Sequence, residues 1–138
     1  MSLAARAARV ATLLRWAPRI AAARVEVELV LRRMPLDAAL AHLNRGPSAP
    51  LPDADADAAA IVAATGRLLR NREHPRTTCL HRALCRFRLV RATGLRPRFR
   101  LGIAPSGPLE GHAWIELGGQ PVGEPEAFDL APTFSFPP

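Results

Sequence analysis

Lysine is missing from this chain of 138 residues, and all 19 of its basic side chains are arginine, set against 12 acids. An all-Arg, Ala-rich chain suggests a GC-rich bacterial gene, which is an inference about coding rather than chemistry. Tyrosine is missing too, and the aromatics are five Phe and two Trp. Single-strand binders stack bases on exposed aromatic pairs, so the basic charge has little aromatic support for a nucleic-acid module. Only two cysteines are present, too few for a secreted disulfide scaffold. No second Cys/His pair lies at ligand spacing, which excludes a zinc finger. Cys79 and Cys85 fall in one expected helix on faces about 240° apart, so no bridge joins them. Reduced thiols and a cytoplasmic location are expected. No stretch approaches the roughly 18 apolar residues of a membrane span. The apolar N-terminal run is cut by Arg6, Arg9, Arg15 and Arg19, which argues against a secretory signal. An Arg-rich amphipathic start can lie on a membrane surface, but a surface helix of the domain is the expectation.

What is present is enough to fold. Hydrophobic residues make up 49% of the chain, so a sizeable core is expected and wholesale disorder is not. The charge is segregated. Residues 66–100 hold eleven Arg against the single acid Glu73, whereas residues 101–138 hold five acids and no Arg. A zone this basic attracts anionic partners, nucleic acid or an acidic peptide.

Apolar residues at three- and four-residue spacing predict helices over 3–16 and 20–34, with Pro18 separating them. A short helix follows from Leu36 to Leu43, and 46–52 is a Pro-rich loop. Asp53, Asp55 and Asp57 have the spacing of a calcium loop but lack its Gly and distal Glu. Capping of a helix over 54–70, with the carboxylates opposing the helix dipole, explains them better. Thr77-Thr78 then caps a helix that opens on Cys79, buries Leu80, Ala83, Leu84 and Phe87, and stops at Gly94. Strand alternation marks 96–103 and 111–117, Gly118-Gly119 signals a hairpin, and 120–123 is a third strand. The tail from Pro125 reads as irregular. The fold class is α+β: a helical region over 1–52 and a core over 53–138, expected together as one compact domain, with a Cys-bearing helix packed on a small antiparallel sheet.

A cysteine at a helix N-terminus feels the positive end of the dipole, which favours the thiolate. The same unpaired N–H groups can hold an oxyanion. Cys79 has that place, with Arg76 and Arg82 nearby, while Cys85 sits mid-helix as an inert core thiol. A thiol nucleophile needs an imidazole within reach. His112 opens a strand beside the expected site. His81 is two residues from Cys79 on a helix, where side chains diverge, and His42 and His74 lie in loop or helix-end contexts. Spacing alone also allows a core thiol and a satisfied histidine.

Three blocks in order go further. They are Thr78-Cys79-Leu80-His81-Arg82-Ala83-Leu84, Gly111-His112-Ala113-Trp114-Ile115-Glu116 and Pro121-Val122-Gly123-Glu124-Pro125. Together they resemble the transglutaminase-like leader peptidases of lasso-peptide biosynthesis, over residues 66–125. The resemblance implies a papain-like cysteine protease with a Cys-His-acid triad: Cys79, His112 and, about a dozen residues on, Glu124. It implies no metal and no cofactor. Its implied substrate is the leader of a ribosomally made precursor, cut two residues after a Thr-type position. The implied partners are a small leader-recognition protein and an ATP-dependent macrolactam cyclase. The chain's length suggests the stand-alone form.

Glu126 and Asp129 remain candidates for the acid. An even hairpin loop would put Glu124 on the face opposite His112, and an odd, bulged loop on the same face. The bulged register, Leu117 opposite Pro121, is expected. Trp114 shares the His112 face, either shielding the His-acid pair or packing a core, and Glu116 is read as solvated. Arg76, Arg82, Arg98 and Arg100, with Trp114, are the candidate contacts for an acidic leader or its carrier, against the alternative of a solubilising Arg surface. The rival functions are a nucleic-acid or peptide-binding module without catalysis, and acyl transfer to an amine through the same thioester.

Overall fold

A computed structural model describes residues 1–70, 78–103, 111–124, 127 and 130–138. The helices are α1 Leu3–Arg33, α2 Leu36–Leu43, α3 Ala54–Leu68 and α4 Cys79–Ala92, and the strands are β1 Arg98–Ile103, β2 Gly111–Leu117, β3 Gln120–Pro121 and β4 Ala131–Phe136. The strands form one antiparallel sheet in the order β3-β2-β1-β4. The architecture is α+β, four helices with one small antiparallel sheet.

α4 is the centre of the packing. Its Ala83, Leu84, Phe87 and Val90 are buried, and they share one hydrophobic cluster with Ile20, Val27 and Val30 of α1, Leu40 and Leu43 of α2, Ile61 of α3, and Phe99, Ala113 and Ile115 of the sheet. Strand alternation produces this sheet face: Phe99 pairs with Ile115 and Leu101 with Ala113 across β1 and β2. Phe134 and Phe136 add edge-on ring contacts to Phe99 and Phe87.

Three sequence expectations are corrected. Pro18 does not separate two helices; it lies inside the single helix α1. A mid-helix proline removes one N–H donor and crowds the preceding turn. Here the buried stripe Trp16, Ile20, Ala23, Val27 and Val30 runs past the proline without a break in phase, and that packing outweighs the local penalty. The tail is not irregular throughout, because β4 pairs with β1 from Ala131 to Phe136. Pro132 is tolerated because β4 is an edge strand. Asp53 makes no side-chain cap bond to α3. Asp55 and Asp57 do lie in its first turn, where charge favours the dipole, and Asp57 pairs with Arg15 at 3.1 Å.

Candidate active site

α4 begins at Cys79 because Thr78 is extended, at φ −85° and ψ 171°, and caps it. His81 completes the cap: its Nδ1 accepts the Thr78 backbone N–H at 3.3 Å and lies 2.9 Å from the Thr78 hydroxyl. Its Nε2 lies 3.4 Å from Glu28 of α1. His81 thus faces α1 rather than Cys79, as the helical spacing predicts. Thr77 lies outside the described residues.

The Cys79 thiol is held below its ordinary value of 9.0, first by the hydrogen bond with His112 and then by the backbone N–H groups of Ala113 and Leu80, with burial opposing. His112 is pulled up to about 9, first by Cys79, then by Glu124, again against burial. The ring has two nitrogens, and Nε2 lies 3.3 Å from Glu124 Oε2, so Nδ1 is the nitrogen left for the sulfur. Cys85 is the contrast: fully buried mid-helix, its thiol is pushed up to about 12 by desolvation.

Glu124 is 5% exposed and heavily engaged. Its Oε1 accepts from Arg82 Nε at 2.9 Å, from Arg82 Nη2 at 2.6 Å and from Arg86 Nη1 at 2.9 Å. Oε2 is the oxygen that faces the imidazole. Arg86 is itself fixed from behind, donating to Thr65 Oγ1 at 2.7 Å and to the Val62 carbonyl at 3.1 Å. α3 therefore positions the carboxylate through Arg86.

The route by which Glu124 reaches His112 corrects the expected hairpin. The loop is even, with Leu117 opposite Gln120 and Glu116 opposite Pro121. Gly118 and Gly119 take φ of 58° and 78°, the two positive values a tight two-residue turn needs. Parity then argues against a shared face, yet Glu124 meets the ring. The paired register ends at Pro121, one more bond runs from the Val122 N–H to the Ile115 carbonyl at 3.1 Å, and Gly123 then turns the chain at φ 70°. A side chain there would meet Val62 at 2.5 Å and the Arg86 guanidinium at 3.2 Å. Face parity has no hold past the last paired residue.

Trp114 is 1% exposed. Its ring lies 6.3 Å from that of His112 at 19°, nearly parallel, so it borders the imidazole and is also packed. It lies against Gly102 of β1, where an added Cβ would sit 2.6 Å from the indole. Gly102→Ala is expected to destabilise the fold by about 1–3 kcal/mol through overpacking and to shift Trp114, readable as a changed near-UV circular dichroism band. Glu116 is not solvated: it is 9% exposed and accepts from Trp114 Nε1 at 3.3 Å and Arg100 Nε at 3.2 Å.

The Arg candidates divide. Arg82 belongs to the Glu124 cluster. Arg100 is held by Glu116 and by Ser135, 2.8 Å away. Arg98 is exposed. Arg76, Glu126 and Asp129 lie outside the described residues. The residue that sequence reasoning missed is Arg86. Its position one helical turn after Arg82 was the available signal, since residues four apart share a face. Among the described residues, no three His, Cys, Asp or Glu side chains converge as a metal site, and no helix is long and apolar enough to cross a membrane.

A thiol at a helix N-terminus, an imidazole and a buried carboxylate in one chain of hydrogen bonds define the class of thiol–imidazole acyl-transfer folds. The family model of the transglutaminase-like superfamily matches residues 21–134, and the chain belongs to that superfamily. Neither a search of curated proteins nor one of solved structures found a match.

Proposed function

We propose that the protein is a cysteine peptidase that removes the leader from a lasso-peptide precursor. The observation that carries the peptidase reading is the hydrogen-bonded series Cys79, His112, Glu124 at the start of α4. The substrate rests on the resemblance of the three sequence blocks.

In the first step the Cys79 thiolate adds to the scissile carbonyl. The oxyanion is held by N–H groups at the start of α4, that of Cys79 among them. As the C–N bond breaks, the imidazolium gives its proton to the leaving amine, and a thioester remains. His112 then takes a proton from water, which attacks the thioester. The leader leaves as a carboxylic acid, and the thiol–imidazole pair regains its starting protons. Glu124 orients the ring and stabilises its cation without taking the proton. The small recognition protein delivers the leader, and the ATP-dependent cyclase acts on the freed core. An amine in place of water would give acyl transfer, the other chemistry known in this superfamily.

The test is mass spectrometry of a lasso-type precursor peptide incubated with the protein and a small leader-recognition protein, both sought in the same gene neighbourhood, in parallel with Cys79→Ala. Two fragments whose masses sum to the precursor plus one water, seen only with Cys79, are the expected result. A product carrying the mass of an added amine would replace the peptidase reading by transfer. A cut that survives Cys79→Ala would remove the thiol mechanism.

A further inference from the structure

His81 lies in the first turn of α4 and takes no part in the proton transfers between Cys79 and His112, yet both nitrogens of its ring are engaged. Nδ1 lies 3.3 Å from the Thr78 backbone nitrogen and 2.9 Å from the Thr78 hydroxyl. Nε2 lies 3.4 Å from Glu28 Oε2 on α1. A backbone N–H can only donate, so Nδ1 is the acceptor and the single ring proton sits on Nε2, facing the carboxylate. That is the neutral imidazole. Burial, with Arg24 next, holds the ring below its ordinary value of 6.5 against the pull of Glu28, which favours the neutral form. Glu28 is itself held on α1, by Arg24 at 2.8 Å and by Arg32 at 3.2 Å. One ring therefore ties the start of α4 to α1.

The residue type matters for the thiol. Glu or Gln is the usual side chain three residues after a Thr cap. A Glu at this place would set a second carboxylate against Glu28 and a negative charge two residues from Cys79, and a nearby anion opposes a thiolate. Neutral histidine supplies the capping acceptor without the charge. What it holds in place is the first turn of α4, whose Leu80 N–H donates to the Cys79 sulfur. That N–H and the positive end of the helix act on the sulfur only while the turn keeps its helical geometry.

We propose that His81 is a positioning residue for the nucleophile: held by Glu28 of α1 and holding Thr78, it fixes the first turn of α4 and so keeps the backbone donor on the Cys79 sulfur. It acts through the backbone, since side chains two apart on a helix diverge. The inference rests on the reading of Cys79 as the nucleophile and not on the leader-peptide substrate.

The test is the pH profile of Cys79 alkylation by iodoacetamide, read from the mass of the Cys79 peptide. Cys85 does not interfere, being fully buried with its thiol pushed up to about 12. His81→Phe keeps a ring to fill the same space but has no nitrogens. It is expected to move the rise of the rate to higher pH by about half a unit, an about threefold slower reaction on the rising limb. His81→Gln, whose amide both accepts and donates, should return most of that shift. Glu28→Gln should move the rise upward more in the wild type than in the His81→Phe background, because only the wild type carries the link. Urea midpoints are measured alongside. A lowered midpoint with an unmoved rise would make His81 a cap for stability alone and overturn the proposal. Equal profiles for the Phe and Gln variants, or equal shifts from Glu28→Gln in both backgrounds, would overturn it too. A wild-type rise no lower than that of free cysteine is a separate failure, read on the unaltered protein: it would remove Cys79 as the nucleophile, and this inference with it.

Discussion

His112→Ala is expected to lower turnover by about 10³-fold or more and to slow iodoacetamide alkylation of Cys79 at pH 6 by about tenfold or more. A thiol at the ordinary value of 9.0 is ionised in about one molecule in a thousand at that pH. His112 is the largest of the influences that hold Cys79 lower, so its loss removes most of the thiolate. The N–H groups of Ala113 and Leu80 remain, and they leave some residual reactivity. The wild-type rate should therefore rise at lower pH than an ordinary thiol's, and change again near about pH 9, where the imidazolium loses its proton. The variant should give a single rise displaced to higher pH. An unchanged profile would show that the ring does not ionise the thiol.

Melting temperature is the wrong readout for this pair, and the signs show why. The raised His112 contributes stability in full below 6.5, and the contribution is lost as pH climbs through about 9. The lowered Cys79 contributes above 9.0, and that part is lost as pH falls through its depressed value. Between these limits one trend cancels the other, because thiolate–imidazolium and thiol–imidazole carry the same number of protons. Alkylation sees the difference and stability does not.

The sequence exposed the site where local rules govern it. Cys79 opens a helix because Thr78 caps it, and His112 opens a strand because alternation runs from Gly111 to Leu117. Both are short-range patterns that one residue's neighbours determine. Glu124 was legible as a letter at the right distance but not as a placement, since its position depends on Gly123 meeting Val62 and Arg86 across the fold. The same holds for Pro18, where a local rule against helix continuation is overruled by a stripe of tertiary contacts. β4 was hidden by Pro132 and Pro137 because the sequence does not say which strand lies at an edge. The Arg zone was misjudged in kind: a count of charges cannot separate Arg98, in solvent, from Arg86 and Arg91, which are buried.

Arg86 gives the largest expected effect on stability. Arg86→Met keeps much of the side chain's length but removes every donor. Glu124 then keeps Arg82 and His112 but loses its buried partner, and the Thr65 hydroxyl and Val62 carbonyl lose their donor from Arg86. Breaking a buried ion pair from one side costs about 3–5 kcal/mol, a large share of the roughly 5–15 kcal/mol that holds a domain together. A fall in the urea midpoint with little change in slope is the expected reading. Adding Glu124→Gln should recover part of the loss, because it removes the charge that was left underpaired, so the two changes should be clearly non-additive. Arg82→Gln should behave differently. Arg82 is 20% exposed, water can replace part of its contact, and the cost should stay near about 1 kcal/mol. Its effect belongs instead to the site: with less positive charge on Oε1, the carboxylate holds the imidazolium more tightly, and the upper limb of the alkylation profile should move to higher pH. If Arg86→Met unfolds at the wild-type midpoint, Glu124 is not held from α3, and the carboxylate must owe its place to Arg82 and the β2–β3 hairpin.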